Sequence, residues 1–228
     1  RDYNRNTGYG NADILQNSIQ ELTLTKDRAF KMLLDKMDED ETKIKAGEVL
    51  ARQLRERVIP EIEKYRFETI LKSCDTNSQT VTGLTASNAY AKFLEAQEKL
   101  NDEDVPQNRI AYVTPDFLTK LKKDDNFIKA SDIGQNIAIN GLVGMVDGVP
   151  IVRVTKKWME AKTGTPATTK KYACLVGHNS ATVAPVKLAE YRVVTDSENY
   201  SGTLFLGRFY YDCFVLNNKA KGLVAIEA

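Results

Sequence analysis

The stretch from residue 22 to residue 74 constrains the fold most, because two different periodicities follow each other in it. Polar and apolar residues alternate over 21–25 (Glu-Leu-Thr-Leu-Thr), and the alternation returns over 30–34. Period-two alternation is typical of strands, so we predict a hairpin of two short strands with its turn at 26–28. An isolated hairpin is marginal in water and needs a neighbour to cover it. The pattern therefore predicts a subunit that completes its folding by contacting copies of itself.

The second periodicity is that of one long helix. Asp40-Glu41-Thr42 is an acidic cluster that suits a helix N-terminus, where unpaired N–H groups attract negative charge. Pro60 falls inside the run and removes a backbone hydrogen bond, which kinks a helix. The apolar stripe keeps its phase across Pro60, so we predict one bent helix rather than two. The stripe consists of Ile44, Leu50, Leu54, Val58, Ile62, Tyr65 and Leu71.

The remainder of the chain changes from helices to strands. We predict a helix capped by Thr85, a buried strand at 109–113 and a short helix opened by Thr114-Pro115-Asp116. A loop rich in Gly, Thr, Pro and Lys is expected at 162–171. Helices first and strands later indicate an α+β fold and not a doubly wound sheet. The later strands are predicted at 141–146, 149–154, 172–176, 191–195, 202–214 and 222–226.

Composition excludes several classes of protein. Of the 228 residues, 42% are hydrophobic and 28% are charged, which supports a globular core. The 32 basic and 31 acidic residues leave a net charge of +1, which argues against a dedicated nucleic-acid binder. No apolar run reaches the ~18 residues that span a bilayer, so we expect no membrane partner. The first residue is Arg1, which is compatible with a removed leader or a partial sequence.

Catalytic chemistry has one candidate pair, Cys174 and His178. His178 is the one histidine of the chain, and a thiol beside an imidazole is a common nucleophile. However, Cys174 falls in a predicted strand, where a four-residue spacing does not create the shared helical face that such a pair would need. Cys74, Cys174 and Cys213 form no CxxC pair and are odd in number, which favours a reducing compartment over disulfides. We therefore expect no enzyme.

Ligand and nucleic-acid sites are weakly indicated. One histidine and three scattered cysteines supply no zinc-ligand spacing, and Asp38-Glu39-Asp40-Glu41 is more typical of a solvated helix cap than of a cation site. No phosphate-binding or dinucleotide-binding glycine motif occurs, so no cofactor is expected. The candidates for contact with DNA, or with acidic residues of a neighbour, are the lysines 156, 157, 162, 170 and 171. A solvated loop is the interpretation that we favour for them.

Several segments, taken in order, resemble a known family. After the predicted hairpin come 57–67 (Arg-Val-Ile-Pro-Glu-Ile-Glu-Lys-Tyr-Arg-Phe), 84–90 (Leu-Thr-Ala-Ser-Asn-Ala-Tyr), 112–115 (Tyr-Val-Thr-Pro), 148–152 (Gly-Val-Pro-Ile-Val), 178–181 (His-Asn-Ser-Ala) and 207–212 (Gly-Arg-Phe-Tyr-Tyr-Asp). Their collinear order resembles the major capsid proteins of tailed bacteriophages with the Hong Kong 97-like fold. The resemblance covers nearly all of the chain from about residue 20 on.

The resemblance implies a division into domains. Residues 1–19 would form an N-terminal arm and 20–40 the extended E-loop hairpin. A peripheral (P) domain with the long spine helix would comprise 41–84 and 188–213. An axial (A) domain would comprise 85–187 and 214–228. The founding relative joins its subunits by a Lys–Asn isopeptide bond; here Lys26 or Lys31 could supply the lysine, but 202–209 contains no Asn, so no covalent link is expected.

The resemblance also implies a function. Copies of the chain would assemble into pentamers and hexamers, close an icosahedral shell and enclose double-stranded DNA without specific contacts. Portal, scaffold and decoration proteins would be partners, the shell would belong to the virion, and assembly would occur in the host cytoplasm. The expected subunit-interface residues are Leu24, Lys26, Arg28, Phe30 and Met32 in the E-loop, with Arg52, Arg55 and Glu56 on the spine helix.

Three alternatives stay open. Encapsulins, which are protein compartments that hold enzymes, use the same fold and would also form closed shells. A thiol-dependent enzyme built on Cys174 and His178 is a second alternative, and a DNA-binding module is a third. Replacing Cys174 by alanine separates the enzyme from the shell protein, since only the enzyme would lose its activity. A steep fall of affinity with added salt would mark the DNA-binding module.

Overall fold

The structure, a computed structural model, describes Arg5 and residues 19–42, 46–85, 87–124, 144–164, 167–195 and 201–228. The predicted N-terminal arm, 1–19, therefore lies outside the described residues except for Arg5 and Ile19. The helices are α1 (Lys36–Thr42), α2 (Ala46–Gln53), α3 (Ile59–Thr76), α4 (Ala89–Asp102) and α5 (Pro115–Lys123).

A π-helical turn, Leu54–Val58, joins α2 to α3 and accommodates Pro60. The N–H of Ile59 donates to the carbonyl of Leu54, five residues back, instead of the usual four. Pro60 then occupies the first turn of α3, where a missing N–H costs little. The helix continues through the proline, which confirms the prediction of one helix and gives its irregularity the form of a π-turn.

The predicted caps of two helices are wrong. Asp40-Glu41-Thr42 does not begin the long helix, because these residues lie in the last turn of α1. The first turn of α1 is capped by Asp35, whose carboxylate accepts from the N–H of Met37 at 2.9 Å. The helix that we predicted to begin after Thr85 is α4, and it begins after Asn88 instead. Thr114 caps α5 as predicted, since its side chain accepts from the N–H of Phe117.

Strands in the described residues form three sheets. One contains seven strands, with the order β2-β12-β7-β3-β5-β4 and β6 paired to β7; the second has the order β1-β10-β9; β8 and β11 form the third. The strands are β1 (Lys26–Asp35), β2 (Thr80–Val81), β3 (Arg109–Val113), β4 (Met145–Val146), β5 (Val149–Arg153), β6 (Glu160–Thr163), β7 (Thr168–His178), β8 (Thr182–Val183), β9 (Val186–Val194), β10 (Gly202–Tyr211), β11 (Phe214–Val215) and β12 (Leu223–Glu227). This mixture of helices and sheets confirms the α+β class.

The core lies on both faces of the seven-stranded sheet. Along β12, Val224 and Ile226 point toward a cluster formed with α4 and α5, while Leu223 and Ala225 point toward a second cluster formed with α3. This alternation follows from the period of two along a strand. Because the middle of the sheet is covered on both sides, β12 and residues 172–177 of β7 are almost entirely apolar, whereas β6 and the beginning of β7 are polar. The lysine-rich loop predicted at 162–171 is instead largely a hairpin of this sheet, in which β6 pairs with β7.

The predicted E-loop hairpin is wrong in its geometry. Residues 26–28 do not turn; they begin β1, which pairs antiparallel with β10 from Lys26 opposite Tyr211 to Asp35 opposite Gly202. The segment 20–25 is not a strand. The charges at 26–28 suggested a turn, but none of these residues is Gly, Asn or Pro. Each of them is instead satisfied by a partner on β10 or α3.

Gly202 determines where β10 can begin beside β1. Its φ is +146°, and a Cβ at this position would lie 2.2 Å from the carbonyl oxygen of Leu34. We expect Gly202→Ala to lower the free energy of unfolding by about 1–3 kcal/mol, because the backbone of both strands must shift. Gly47→Ala is the matched control, since nothing lies within 4 Å of a Cβ there. Denaturant unfolding of the purified variants measures both, and equal stability of the two variants would contradict this role of Gly202.

Candidate assembly surface

Asp212 joins the three-stranded sheet to the helix α3. Its carboxylate accepts from the hydroxyl of Tyr65 at 2.7 Å, from the N–H of Cys213 at 2.8 Å, and from both the N–H and the hydroxyl of Thr25, at 2.7 and 2.9 Å. The side chain is buried. Four donors from three segments of the chain therefore meet on one carboxylate, which fixes the base of the sheet relative to the helix.

These donors also determine the protonation of Asp212. Burial alone acts to raise the pKa of its carboxyl group, but the hydrogen bonds from Tyr65, Cys213 and Thr25 together outweigh burial and hold the pKa below its usual value. The carboxylate is thus ionised under ordinary conditions. The sequence carried a signal of this site, a single acidic residue directly after three aromatic residues, but the sequence analysis did not use it.

The first predicted interface residues contact their own chain. The hydroxyl of Tyr210 donates to the Leu24 carbonyl at 2.8 Å. The ammonium of Lys26 lies 4.8 Å from the centre of the Tyr65 ring, and Arg28 Nε lies 2.7 Å from Glu61 Oε1. The contacts of Lys26 and Arg28 hold the beginning of β1 against α3, and the contact of Leu24 joins the segment before β1 to β10. A role for the three residues in subunit contact stays a prediction.

Phe30 and Met32 occupy the same face of the three-stranded sheet. Phe30 stacks on Phe209 with ring centres 6.0 Å apart, and Tyr191 contacts Phe209 edge-on at 5.3 Å. Gly207 makes room for this cluster, because a Cβ there would lie 2.2 Å from the Phe30 ring. Met32 is half-buried and lies opposite Phe205. The two residues form a cluster within the subunit, and their part in an interface stays a prediction.

Arg52, Arg55 and Glu56 lie together on the exposed side of α2 and the π-turn. Glu56 accepts from Arg52 Nε at 3.0 Å and lies 3.5 Å from Arg55 Nη2, and the arginine side chains are 73% and 77% exposed. The hydrogen bond from Arg52 lowers the pKa of Glu56. Such exposed pairs contribute little to the stability of the subunit, and a role for the three residues in subunit contact stays a prediction.

None of the predicted interface residues lies on β9, yet β9 is the most exposed strand of this sheet in the described residues. One edge of β9 pairs with β10, and no other described strand pairs with its second edge. Tyr191 and Val193 are 45% and 47% exposed on the face that also carries Phe30 and Phe209. An unpaired edge with exposed apolar side chains is a template for association with another chain.

The candidate catalytic pair is separated by burial. Cys174 lies in the core of β7, while His178, at the end of the same strand, borders a cleft of about 390 Å³ that Cys174 does not reach. Nδ1 of His178 lies 2.8 Å from the Ser180 hydroxyl. Burial raises the pKa of the Cys174 thiol, which disfavours the thiolate that nucleophilic attack requires.

Of the five candidate lysines, two lie next to a carboxylate and the other three are exposed to solvent. Lys170 pairs with Asp75, and Lys156 Nζ lies 3.5 Å from Asp116 Oδ1. Lys157, Lys162 and Lys171 are exposed. No group of three or more His, Cys, Asp or Glu side chains that could hold a metal ion occurs in the described ranges. Nor does a described helix have the length and apolarity that crossing a membrane requires.

Comparison with known proteins reveals a likeness in structure but not in sequence. No protein-family model matches the sequence, and no curated protein matches it either. The capsid structure of cyanophage P-SCSP1u superposes with a TM-score of 0.71 at 15% identity, covering 96% of this chain and 80% of that one. The chain has the fold of phage capsid proteins.

Two further structures extend the comparison of this capsid fold. A chain of Mycobacterium phage Che8 matches with a TM-score of 0.69 at 15% identity, covering 92% of this chain and 76% of its own. A virus-like particle from Pyrococcus furiosus matches less well, with a TM-score of 0.51 at 10% identity, covering 89% and 76%. The fold that the sequence resemblance implied is thus confirmed, whereas the bounds of the P and A domains stay predictions.

We expect Asp212→Asn to destabilise the subunit by about 1–3 kcal/mol at neutral pH, because an amide replaces a buried charged acceptor. Asp27→Asn is the matched control: Asp27 also pairs across segments, with Arg208 at 2.6 Å, but at an exposed position. It should change stability little. Thermal unfolding compares the two, and a loss for Asp27→Asn equal to that for Asp212→Asn would contradict the anchoring role.

The same carboxylate predicts an acid dependence. Because the folded pKa of Asp212 lies below its unfolded value, near 4, its contribution is present above the unfolded pKa and is lost as the pH falls through the folded pKa. We expect the stability difference between wild type and Asp212→Asn to shrink as the pH is lowered below about 4. A difference that is constant with pH would show that the charge of Asp212 is not what stabilises the junction.

All three thiols should resist modification in the folded chain. Burial raises the pKa of Cys74 to about 12 and that of Cys213 to about 11, and Cys174 is shifted in the same direction. A thiol reagent at pH 8 should therefore label none of them quickly before unfolding and all three afterwards. Rapid reaction of Cys174 in the folded chain would revive the thiol-enzyme hypothesis.

Proposed function

We propose that this chain is the shell-forming subunit of a phage capsid. The observation that carries the proposal is the superposition on a cyanophage capsid chain over 96% of this chain. The finer proposal is that copies form pentamers and hexamers, which close into an icosahedral shell around double-stranded DNA. Symmetric closure lets one modest interface act many times, so weak single contacts suffice.

The surfaces of the subunit support this proposal. The three-stranded sheet is anchored at one end through Asp212, and along its length it presents exposed strands and an unpaired edge. Arg52, Arg55 and Glu56 add an exposed charged patch on α2 and the π-turn. A monomeric protein would normally cover or interrupt such an edge.

Domains and partners follow as further parts of the proposal. The P domain, 41–84 and 188–213, would contain α3, β10 and most of β9, and the A domain, 85–187 and 214–228, most of the seven-stranded sheet. Portal, scaffold and decoration proteins would join the shell, which would assemble in the host cytoplasm and become part of the virion. DNA would meet exposed lysines without sequence-specific contacts.

We propose a structural role and not a catalytic one. Catalysis by Cys174 would require its thiolate to reach a substrate, but the side chain is fully buried and burial raises its pKa. The cleft beside His178 lacks that thiol. The shell proposal uses neither residue.

A protein compartment without a genome is a second candidate. The match to the virus-like particle from Pyrococcus furiosus favours it, although that TM-score is 0.51 against 0.71 for the cyanophage capsid. The two candidates differ in their contents. Particles produced from a phage capsid subunit would take up double-stranded DNA with a packaging machinery, whereas a compartment would take up a protein cargo.

Electron microscopy of the purified chain tests the proposal. We expect capsomers or closed polyhedral particles at raised protein concentration, and we expect Cys174→Ala to assemble like the wild type. The absorbance ratio of particles isolated from an infected host then separates DNA from protein cargo. A chain that stays monomeric under all assembly conditions, with or without a scaffold protein, would refute the shell function.

A further inference from the structure

The unpaired edge of β9 is self-complementary in sequence. Residues 189–193 read Ala-Glu-Tyr-Arg-Val, with opposite charges on either side of Tyr191. In an antiparallel pairing of two β9 strands about a two-fold axis at Tyr191, Glu190 lies opposite Arg192 of the other copy, and Ala189 lies opposite Val193. Opposite charges directly across from each other stabilise a strand pair, and like charges destabilise it.

The neighbouring registers are disfavoured. Moving the axis by one residue to Glu190 places two glutamates opposite each other, and moving it to Arg192 places two arginines there. The axis at Tyr191 is therefore the one of the three that pairs the charges. Because of the two-fold symmetry, one interface contains two equivalent contacts between Glu190 of one copy and Arg192 of the other.

The described structure leaves these groups available. Glu190, Tyr191, Arg192 and Val193 are all exposed, and neither Glu190 nor Arg192 makes a salt bridge with another described residue, although Glu190 contributes to the raised pKa of Arg208. The opposite edge strand, β1, differs, because three of its charged residues, Lys26, Asp27 and Arg28, contact Tyr65, Arg208 and Glu61 of the same chain. The free edge of β9 is therefore better suited than the edge of β1 to pair with a second copy of the chain.

The faces of the sheet also match across the axis. A two-fold axis perpendicular to the sheet keeps Tyr191 and Val193 of both copies on one face and Glu190 and Arg192 on the other. The apolar residues of the two copies then extend the cluster formed by Phe30, Phe209 and Tyr191, and the exposed surface of Tyr191 and Val193 is reduced.

We propose that two copies of this chain join their three-stranded sheets edge to edge through antiparallel pairing of β9 about Tyr191. The joined sheet has six strands and is closed to further growth at this edge. The inference rests on the proposed shell function and specifies one of the contacts between subunits.

Charge reversal tests the register. Glu190→Arg places two positive charges opposite each other, and Arg192→Glu places two negative ones, so each should raise the protein concentration needed for assembly by about tenfold or more. The double variant, Glu190→Arg with Arg192→Glu, restores opposite pairs and should return to within about twofold of wild type. Lys187→Glu is the matched control, since this exposed charge on β9 lies opposite the uncharged Thr195 in the proposed register.

Disulfide crosslinking gives an independent measurement. Directly opposed residues of antiparallel strands have Cα atoms about 4.5–5.5 Å apart, within the range of a disulfide. Tyr191→Cys should therefore form a covalent dimer under oxidised glutathione in assembled material. Val193→Cys, whose two copies would lie about 14 Å apart, should not. The native cysteines are buried and serve as an internal control.

The outcomes separate this inference from the proposed function. Particles that form normally with both single reversals, together with the absence of a covalent dimer for Tyr191→Cys, would overturn the pairing of β9 and leave the shell function standing. A double variant no better than either single reversal would also overturn the register. A wild-type chain that forms no particle or capsomer would refute the shell function and this inference with it.

Discussion

The carboxylate of Asp212 is the interaction on which the arrangement of the subunit depends. It lies where β10 leaves the three-stranded sheet, and it binds the segment before β1 through Thr25 and the helix α3 through Tyr65. A buried charge is costly unless several donors compensate it, and here four do. Because these donors come from segments far apart in the chain, the charge is stabilised only when all of them are in place.

With the three-stranded sheet anchored in this way, the two main sheets have different roles in the subunit. The seven-stranded sheet is covered by α4 and α5 on one face and by α3 on the other, so its strands supply the core of the subunit. The three-stranded sheet is attached at its base and leaves β9 exposed along its length. A subunit that keeps one sheet covered and leaves an edge of the other unpaired is suited to repeated association.

The parts of the fold that sequence analysis predicted well are those with local causes. The strand at 109–113 and the cap at Thr114 each follow from residues within a few positions of one another. Pro60 likewise acts locally, and the π-turn before it absorbs the missing hydrogen bond. The hairpin at 22–34 was mispredicted, because alternation identifies a strand but not its partner, and the partner of β1 is β10, more than 160 residues away.

The sequence by itself determined the α+β class, the long helix through Pro60 and the apolar strands of the core, because periodicity and capping are properties of neighbouring residues. Only the tertiary structure decided that β1 pairs with β10, that Asp212 joins sheet to helix, and that β9 keeps a free edge on which Glu190 and Arg192 form no salt bridge within the described chain. The physical reason is that strand partners and the burial of a charge depend on contacts between distant segments, for which local periodicity carries no signal.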